Sequence, residues 1–88
     1  MNDTQVNDPI KVWCFFDEAS SSAQHLFPIA MNWRRRFVKF SKLVFASSKK
    51  VGDIRIVNLV CSSDTANYEL EFDTSSYLWK LKKVMALE

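Results

Sequence analysis

The last third of this chain carries a period-two pattern that constrains the fold more than any other feature. Apolar and acidic residues alternate without a break over residues 68–73, and aromatic residues or leucine recur at every second position over residues 77–82. Residues 74–76 between them are polar and turn-forming. Because successive side chains of a strand point to opposite faces, this pattern predicts a β-hairpin with one buried and one charged face. The predicted core residues of the hairpin are Tyr68, Leu70, Phe72, Trp79 and Leu81.

The register of this hairpin has two solutions. Directly opposed residues of antiparallel strands share a face, so Phe72 can pair either with Tyr77 or, after a shift of two residues, with Trp79. Both registers place acidic residues against lysines, so charge leaves the choice open. A slip of one residue is excluded because it would turn lysines into the core. In either register, Asp73 is expected to cap the turn.

Length and composition bound the fold class. The chain has 88 residues, enough for one small domain, and 48% of them are hydrophobic, so a packed core can form. Further strand-like runs occur at residues 10–16, 27–33 and 54–61. We therefore predict a single, mostly β domain over residues 10–86, either a small antiparallel barrel or a strongly bent sheet of five to six strands. Residues 1–9 are expected to form a disordered N-terminal tail, and residues 87–88 are consistent with a cloning scar.

Residues 34–45 fit two kinds of secondary structure. With a period of 3.6, Trp33, Phe37, Phe40 and Val44 form one apolar stripe, as in a basic amphipathic helix. With a period of two, apolar and polar residues alternate, and the many Phe and Val residues favour a strand. The prediction therefore allows at most one short helix, either here or within residues 18–26.

Positive charge is concentrated in one segment. Residues 34–50 contain seven Lys or Arg and no acid, whereas the net charge of the whole chain is +2. Such a segment can neutralise phosphates, and nearby aromatic rings can stack on the bases of a single-stranded nucleic acid. An acidic protein partner would fit the same charge. The residues predicted to bind nucleic acid are Arg34, Arg35, Arg36, Lys39 and Lys42.

The same charge could instead be neutralised within the domain. If the C-terminal hairpin lies beside the basic segment, its acids Glu69, Glu71 and Asp73 would pair with the cations. If the hairpin lies elsewhere in the sheet, the cations stay free for phosphate. The sequence pattern leaves both arrangements open.

Three aromatic residues, Trp13, Phe15 and Phe37, fall on strand faces opposite the predicted core. A sheet in a chain of this length rarely covers both of its faces, so these residues predict a protein-interaction or homodimer interface. They would instead be interior if the strands close into a barrel in which a bulge shifts the alternation.

Residues that could carry out chemistry are scarce. His25 is the single histidine, and no cysteine or acid lies at ligand spacing from it. We therefore predict no metal site, no cofactor and no catalytic residue. Cys14 and Cys61 lie in separate apolar runs and are expected to be free thiols. Because no run of about 18 apolar residues and no signal-peptide pattern is visible, we expect a cytoplasmic protein outside the membrane.

Three motifs within residues 27–84 have a counterpart in a known family: Trp33-x-x-Arg36 at a turn, Tyr-Glu-Leu at residues 68–70, and Trp-x-Leu-x-x-Val at residues 79–84. With these motifs, residues 27–84 resemble an uncharacterised family of small bacterial β domains. The family pattern has glycine at the position of Arg35 and tyrosine at the position of Val38. The resemblance implies a strand over residues 36–45, and no catalytic residues carry over because none are known for the family.

Some members of that family are encoded near translesion DNA polymerases, which implies work on nucleic acid. Together with the basic segment, this predicts a binding module rather than an enzyme, namely an accessory domain that associates with nucleic acid. The alternative is a protein-interaction or homodimerisation module that uses the aromatic residues.

Overall fold

The computed structural model describes residues 3–16 and 26–86, which form seven antiparallel strands in one sheet. The strands are β1 (Asp3–Phe16), β2 (Leu26–Trp33), β3 (Arg36–Lys39), β4 (Lys42–Val51), β5 (Ile54–Ser62), β6 (Ala66–Asp73) and β7 (Leu78–Ala86). Their order in the sheet is β3-β2-β1-β7-β6-β5-β4. Within the described ranges there is no helix, and the sheet is not closed into a barrel. The predicted antiparallel β fold is confirmed, whereas the barrel and the count of five to six strands are wrong.

The seventh strand arises because the basic segment changes its pairing partner halfway. The backbone N–H of Phe40 donates to Ile29 O in β2, at 2.8 Å, and that of Ser41 donates to Ser62 O in β5, at 2.7 Å. The chain therefore passes from one end of the sheet to the other between these two residues. A flat sheet of seven strands would hold its edges about 29 Å apart, so the short connection requires a strongly bent sheet.

The concave side of the sheet, called the core side, carries the buried hydrophobic residues. Leu59, Leu70 and Leu81 lie opposite one another on β5, β6 and β7 and have no exposed surface. Met31 and Phe40 join them from the other half of the sheet. Burying side chains of this size contributes very roughly 1.5–3 kcal/mol each before the entropy of folding is counted, so this row holds the two halves together.

The C-terminal hairpin adopts the shifted register. Phe72 pairs with Trp79 and Glu71 with Lys80, and the Phe72 and Trp79 ring centroids are 4.7 Å apart. Tyr77 is consequently a turn residue with a φ of 61°, and its ring is exposed. Of the predicted core residues only Trp79 stays half-buried. Asp73 caps the turn as expected, since its carboxylate accepts hydrogen bonds from the backbone N–H groups of residues 75 and 76.

Two segments outside the strand-like runs of the sequence are strands. Residues 3–9, expected to be a disordered tail, belong to β1 and pair with β7, where Val6 packs against the core. Residues 46–51, which follow the predicted basic strand, continue β4 and pair with β5. Both segments are polar and largely exposed. They are kept in the sheet mainly by backbone hydrogen bonds to the neighbouring strand.

Within the described residues no helix is long and apolar enough to cross a membrane. The helix considered over residues 18–26 lies outside the described residues except for residue 26. His25 and residues 87–88 also lie outside them.

Candidate nucleic-acid interface

The convex side of β1, β2 and β3 presents a cluster of exposed aromatic rings. Trp13, Phe15 and Phe37 are 49%, 66% and 63% exposed, and Phe27 joins them at 36%. Trp13 and Phe37 meet edge to face, with ring centroids 5.5 Å apart. We call these four residues the aromatic face. The two residues of β1 and Phe37 of β3, inferred separately from the sequence, thus lie on one surface.

Register explains how four rings reach the same side. Lys11 pairs with Asn32, and Asn32 pairs with Phe37, so these three side chains share the convex side. Trp13 and Phe15 follow Lys11 at steps of two along β1. Phe15 pairs with Phe27 in β2, past a bulge that leaves Ile29 without a partner. This bulge reverses the alternation of β2 and brings Phe27 to the aromatic face instead of the core side.

Cations surround the aromatic face. Lys11 lies on it, Lys39 pairs with Ala30 in the same cross-strand row as Trp13, and Arg35 lies at the adjoining turn. No Asp or Glu occupies the convex positions of β1, β2 and β3 that surround the rings, within the described residues. Asp64, in the turn after β5, lines a neighbouring groove with Lys39 without forming an ion pair with it.

The basic turn between β2 and β3 has an unusual backbone. Trp33 pairs with Arg36, which leaves Arg34 and Arg35 as a two-residue loop with φ angles of 52° and 65°. Two-residue hairpin loops favour this left-handed geometry, but Gly and Asn normally supply it, because Gly has no Cβ and the short polar side chain of Asn can hydrogen-bond locally. The chain therefore places two arginines where glycine would be more stable.

Arg34 is held by an acid on β1. The carboxylate Oδ2 of Asp8 accepts hydrogen bonds from Arg34 Nε at 2.8 Å and from Trp33 Nε1 at 2.9 Å. The guanidinium also lies 5.0 Å from the centre of the Trp33 ring. The hydrogen bond from Trp33, followed by the hydrogen bond and the positive charge of Arg34, lowers the pKa of Asp8 below its usual range. Arg34, predicted to bind phosphate, is thus neutralised within the fold and fixes the position of the turn.

The other predicted cations are divided among different surfaces. Arg36 shares its face with Val38 and points away from Phe37, because neighbouring residues of a strand face opposite sides. Lys42 lies at the start of β4, beyond the crossing point at residues 40–41. Only Arg35 and Lys39 of the predicted set therefore adjoin the aromatic face. The strand pairing adds three residues that the sequence did not predict for this site: Lys11, Phe27 and Asn32.

The acids of the C-terminal hairpin do not neutralise the basic turn. Glu69 pairs with Lys83 and Glu71 with Lys80, and Lys82 Nζ lies 3.8 Å from Glu71 Oε1. Hydrogen bonds from the side chain and backbone of residue 75 lower the pKa of Asp73. Three strands, β7, β1 and β2, separate β6 from β3 in the sheet order. The acids of the hairpin therefore lie away from the turn, where Asp8 of β1 is the acid that neutralises Arg34.

A shallow groove extends the aromatic face toward the turn. It is lined by Pro9, Ile10, Lys11, Asn32 and Arg35. Lys11 and Arg35 are exposed cations, and Asn32 is the half-buried amide between them. The groove thus joins the ring cluster to charged and polar hydrogen-bond donors.

Other chemistry has no assembled site in the described part of the chain. No three His, Cys, Asp or Glu side chains described here are grouped so that they could hold a metal ion. Cys14 and Cys61 are free thiols, as predicted, and burial raises the pKa of Cys61 to about 12. Cys61 therefore stays protonated and is a poor nucleophile at neutral pH.

No protein-family model, curated protein or solved structure matches this chain. The resemblance to small bacterial β domains therefore stays a prediction from the sequence motifs.

Proposed function

We propose that this protein is a binding module for single-stranded nucleic acid, and that the strand lies across the aromatic face. The observation that carries the proposal is that Trp13 and Phe37 meet on an exposed surface flanked by Lys11, Arg35 and Lys39. Rings offer stacking surfaces to bases of any sequence, and cations around them attract the phosphates. The motif resemblance supports the same direction. The proposal includes a cytoplasmic location and no catalytic activity.

The spacing of the rings favours a single strand over a duplex. Trp13 and Phe15 are two residues apart on β1, so their Cα atoms are about 6.7 Å apart. Successive bases in a duplex are about 3.4 Å apart along each strand, and their faces are covered by their neighbours. Two bases can rest on these two rings only if the nucleic acid is extended and its bases are unstacked.

Salt dependence of binding tests the proposal. Three cations adjoin the face, and each neutralised phosphate of a single strand contributes about −0.7 to the slope of log K against log salt, so we expect a slope of about −2. Between about 50 and about 200 mM salt, affinity should fall roughly 20-fold. The measurement is fluorescence anisotropy with a labelled oligothymidine of about 10 nucleotides, a typical site size. Absence of binding at the lower salt concentration, or affinity that ignores salt, would refute the proposal.

A homodimer through the aromatic face is the second candidate, because rings this exposed are typical of interfaces. A twofold dimer, however, brings each patch against its own copy, so Lys11, Arg35 and Lys39 would meet the same cations of the partner. Charge therefore favours an anionic ligand over a second copy. Light scattering after size exclusion separates the two, with a monomer expected for the nucleic-acid module.

The strained turn predicts a trade-off between stability and binding. Arg35→Gly should remove the steric cost of the left-handed conformation and raise the free energy of unfolding by about 0.5–1 kcal/mol, after allowing for the flexibility of glycine. For a domain of this size that corresponds to a rise in Tm of about 2–8 °C. The same change should weaken oligonucleotide binding, because a cation beside the aromatic face is lost.

Arg35→Ala is the matched control for this prediction. It removes the same charge but keeps a Cβ at a φ of 65°, so it should weaken binding equally without raising Tm. Thermal unfolding followed by circular dichroism and oligonucleotide anisotropy report the two effects separately. A glycine variant that is no more stable than the alanine variant would show that the turn is not strained.

A further inference from the structure

The groove beside the aromatic face has the chemistry of a base-reading site. Asn32 lies directly between Lys11 on β1 and Phe37 on β3, and directly opposed residues have Cβ atoms about 4.5–5.5 Å apart. A base that stacks on Phe37 would therefore present one edge to Asn32. The groove lined by Lys11, Asn32 and Arg35 begins at that point.

The side chains of this groove are rich in hydrogen-bond donors. Lys11 and Arg35 donate only, and the Asn32 amide adds two further N–H groups to its single acceptor oxygen. No carboxylate is among the lining residues described for this groove. A base with acceptors side by side on one edge fits such a set best.

Guanine is the base that offers this edge. Its O6 and N7 atoms are adjacent acceptors, whereas adenine presents an acceptor beside a donor and cytosine presents an amino donor. Bases of a single strand are recognised by hydrogen bonds to these edges while their faces stack on aromatic rings. The half-buried Asn32 is confined by neighbouring strands, so its amide can be aimed at a stacked base.

We propose that this groove reads one base of the bound strand and prefers guanine, with Asn32 as the specificity-determining residue. The inference rests on the proposed binding of single-stranded nucleic acid. In the complex, the Asn32 amide donates to N7 of the guanine, and Lys11 or Arg35 donates to O6.

The test compares oligothymidines that carry one central guanine, adenine or cytosine, with affinity measured by anisotropy at constant salt. A single guanine should raise affinity about tenfold over the thymine parent, which is about 1.4 kcal/mol. Replacing that guanine by 7-deazaguanine, which lacks the N7 acceptor, should remove most of the gain. This second measurement changes only the nucleic acid, so it does not depend on how a variant protein folds.

On the protein side, Asn32→Leu should abolish the guanine preference, so that the guanine-containing strand and the plain oligothymidine bind the variant with affinities within about twofold of each other. Asn58→Leu is the matched control, because Asn58 is also half-buried on the convex side but lies on β5. The inference is overturned if the guanine-containing strand binds no more tightly than the plain oligothymidine, or if 7-deazaguanine binds as tightly as guanine. In either case, salt-dependent binding of the plain oligothymidine would leave the proposed function standing. Failure of every oligonucleotide to bind overturns both.

Discussion

Alanine in place of Trp13 or Phe37 is expected to weaken oligonucleotide binding by about 5- to 150-fold, since stacking of one base on a ring contributes about 1–3 kcal/mol. The two rings meet at 5.5 Å, so the loss in the double variant should differ from the sum of the single losses. Anisotropy with oligothymidine measures the loss. Quenching of tryptophan fluorescence on binding should also disappear with Trp13→Ala, because Trp33 and Trp79 lie outside the aromatic face.

Phe45→Ala is the matched control for these variants. Phe45 is 58% exposed and lies on β4, at the other end of the sheet order from Phe37. The substitution removes an aromatic ring of comparable exposure, but oligonucleotide affinity should stay within about twofold of that of the unchanged protein, a difference of less than about 0.5 kcal/mol. If Phe45→Ala weakens binding as much as Phe37→Ala, the aromatic face is not the binding surface.

The largest expected effect on stability comes from Leu70→Ala. Leu70 is the middle of the row formed with Leu59 and Leu81, and none of the three has exposed surface. Truncating a leucine in such a site costs about 2–5 kcal/mol through lost burial and the cavity left behind. A chain of this length is expected to have a total stability of about 4–13 kcal/mol, so the variant should unfold at far lower urea or not fold at all.

Leu78→Ala in the same hairpin provides the comparison. Leu78 is 68% exposed beside the turn, and surface substitutions of this kind usually change the free energy of unfolding by less than about 0.5 kcal/mol. Urea unfolding followed by circular dichroism compares the two directly. Equal midpoints for Leu70→Ala and Leu78→Ala would mean that the leucine row is not the core.

The strand and the buried side of β6 follow from sequence because the alternation of this strand is regular. Residues 68–73 alternate without a bulge opposite β5, so their period-two pattern predicts the buried side correctly. The period-two pattern does not determine the register of the C-terminal hairpin. The pairing of Phe72 with Trp79 rather than Tyr77 depends on the turn, in which Tyr77 takes a left-handed φ.

The N-terminal half is harder to predict because bulges interrupt its alternation. β1 carries an irregularity between Gln5 and Asp8, with Asn7 at a φ of 59°, and β2 bulges at Ile29. A pattern of period two assigns Phe27 to the same side as Met31, whereas the bulge sends it to the aromatic face. Polar edge and tail segments were equally invisible, since hydrophobic alternation cannot reveal strands held mainly by backbone hydrogen bonds.

For the candidate site, sequence revealed the residue types but not their grouping. Trp13, Phe15 and Phe37 were identified because they fall on the strand faces opposite the predicted core. The cations were identified because they cluster along the chain. The neutralisation of Arg34 by Asp8 joins residues 26 positions apart, which no local pattern contains. Lys11 and Asn32 became part of the site only when the pairing of three strands was known.

The pairing of β1 with β7 also sets the order of events during synthesis. Asp3 lies opposite Met85, so the first strand has its neighbour on that side only after the last strand has left the ribosome. Domains dominated by such distant pairings fold on a timescale of about milliseconds to seconds. Until then the edge of β1 and the aromatic rings beside it are exposed together, and unpaired edges beside apolar surface are prone to aggregate.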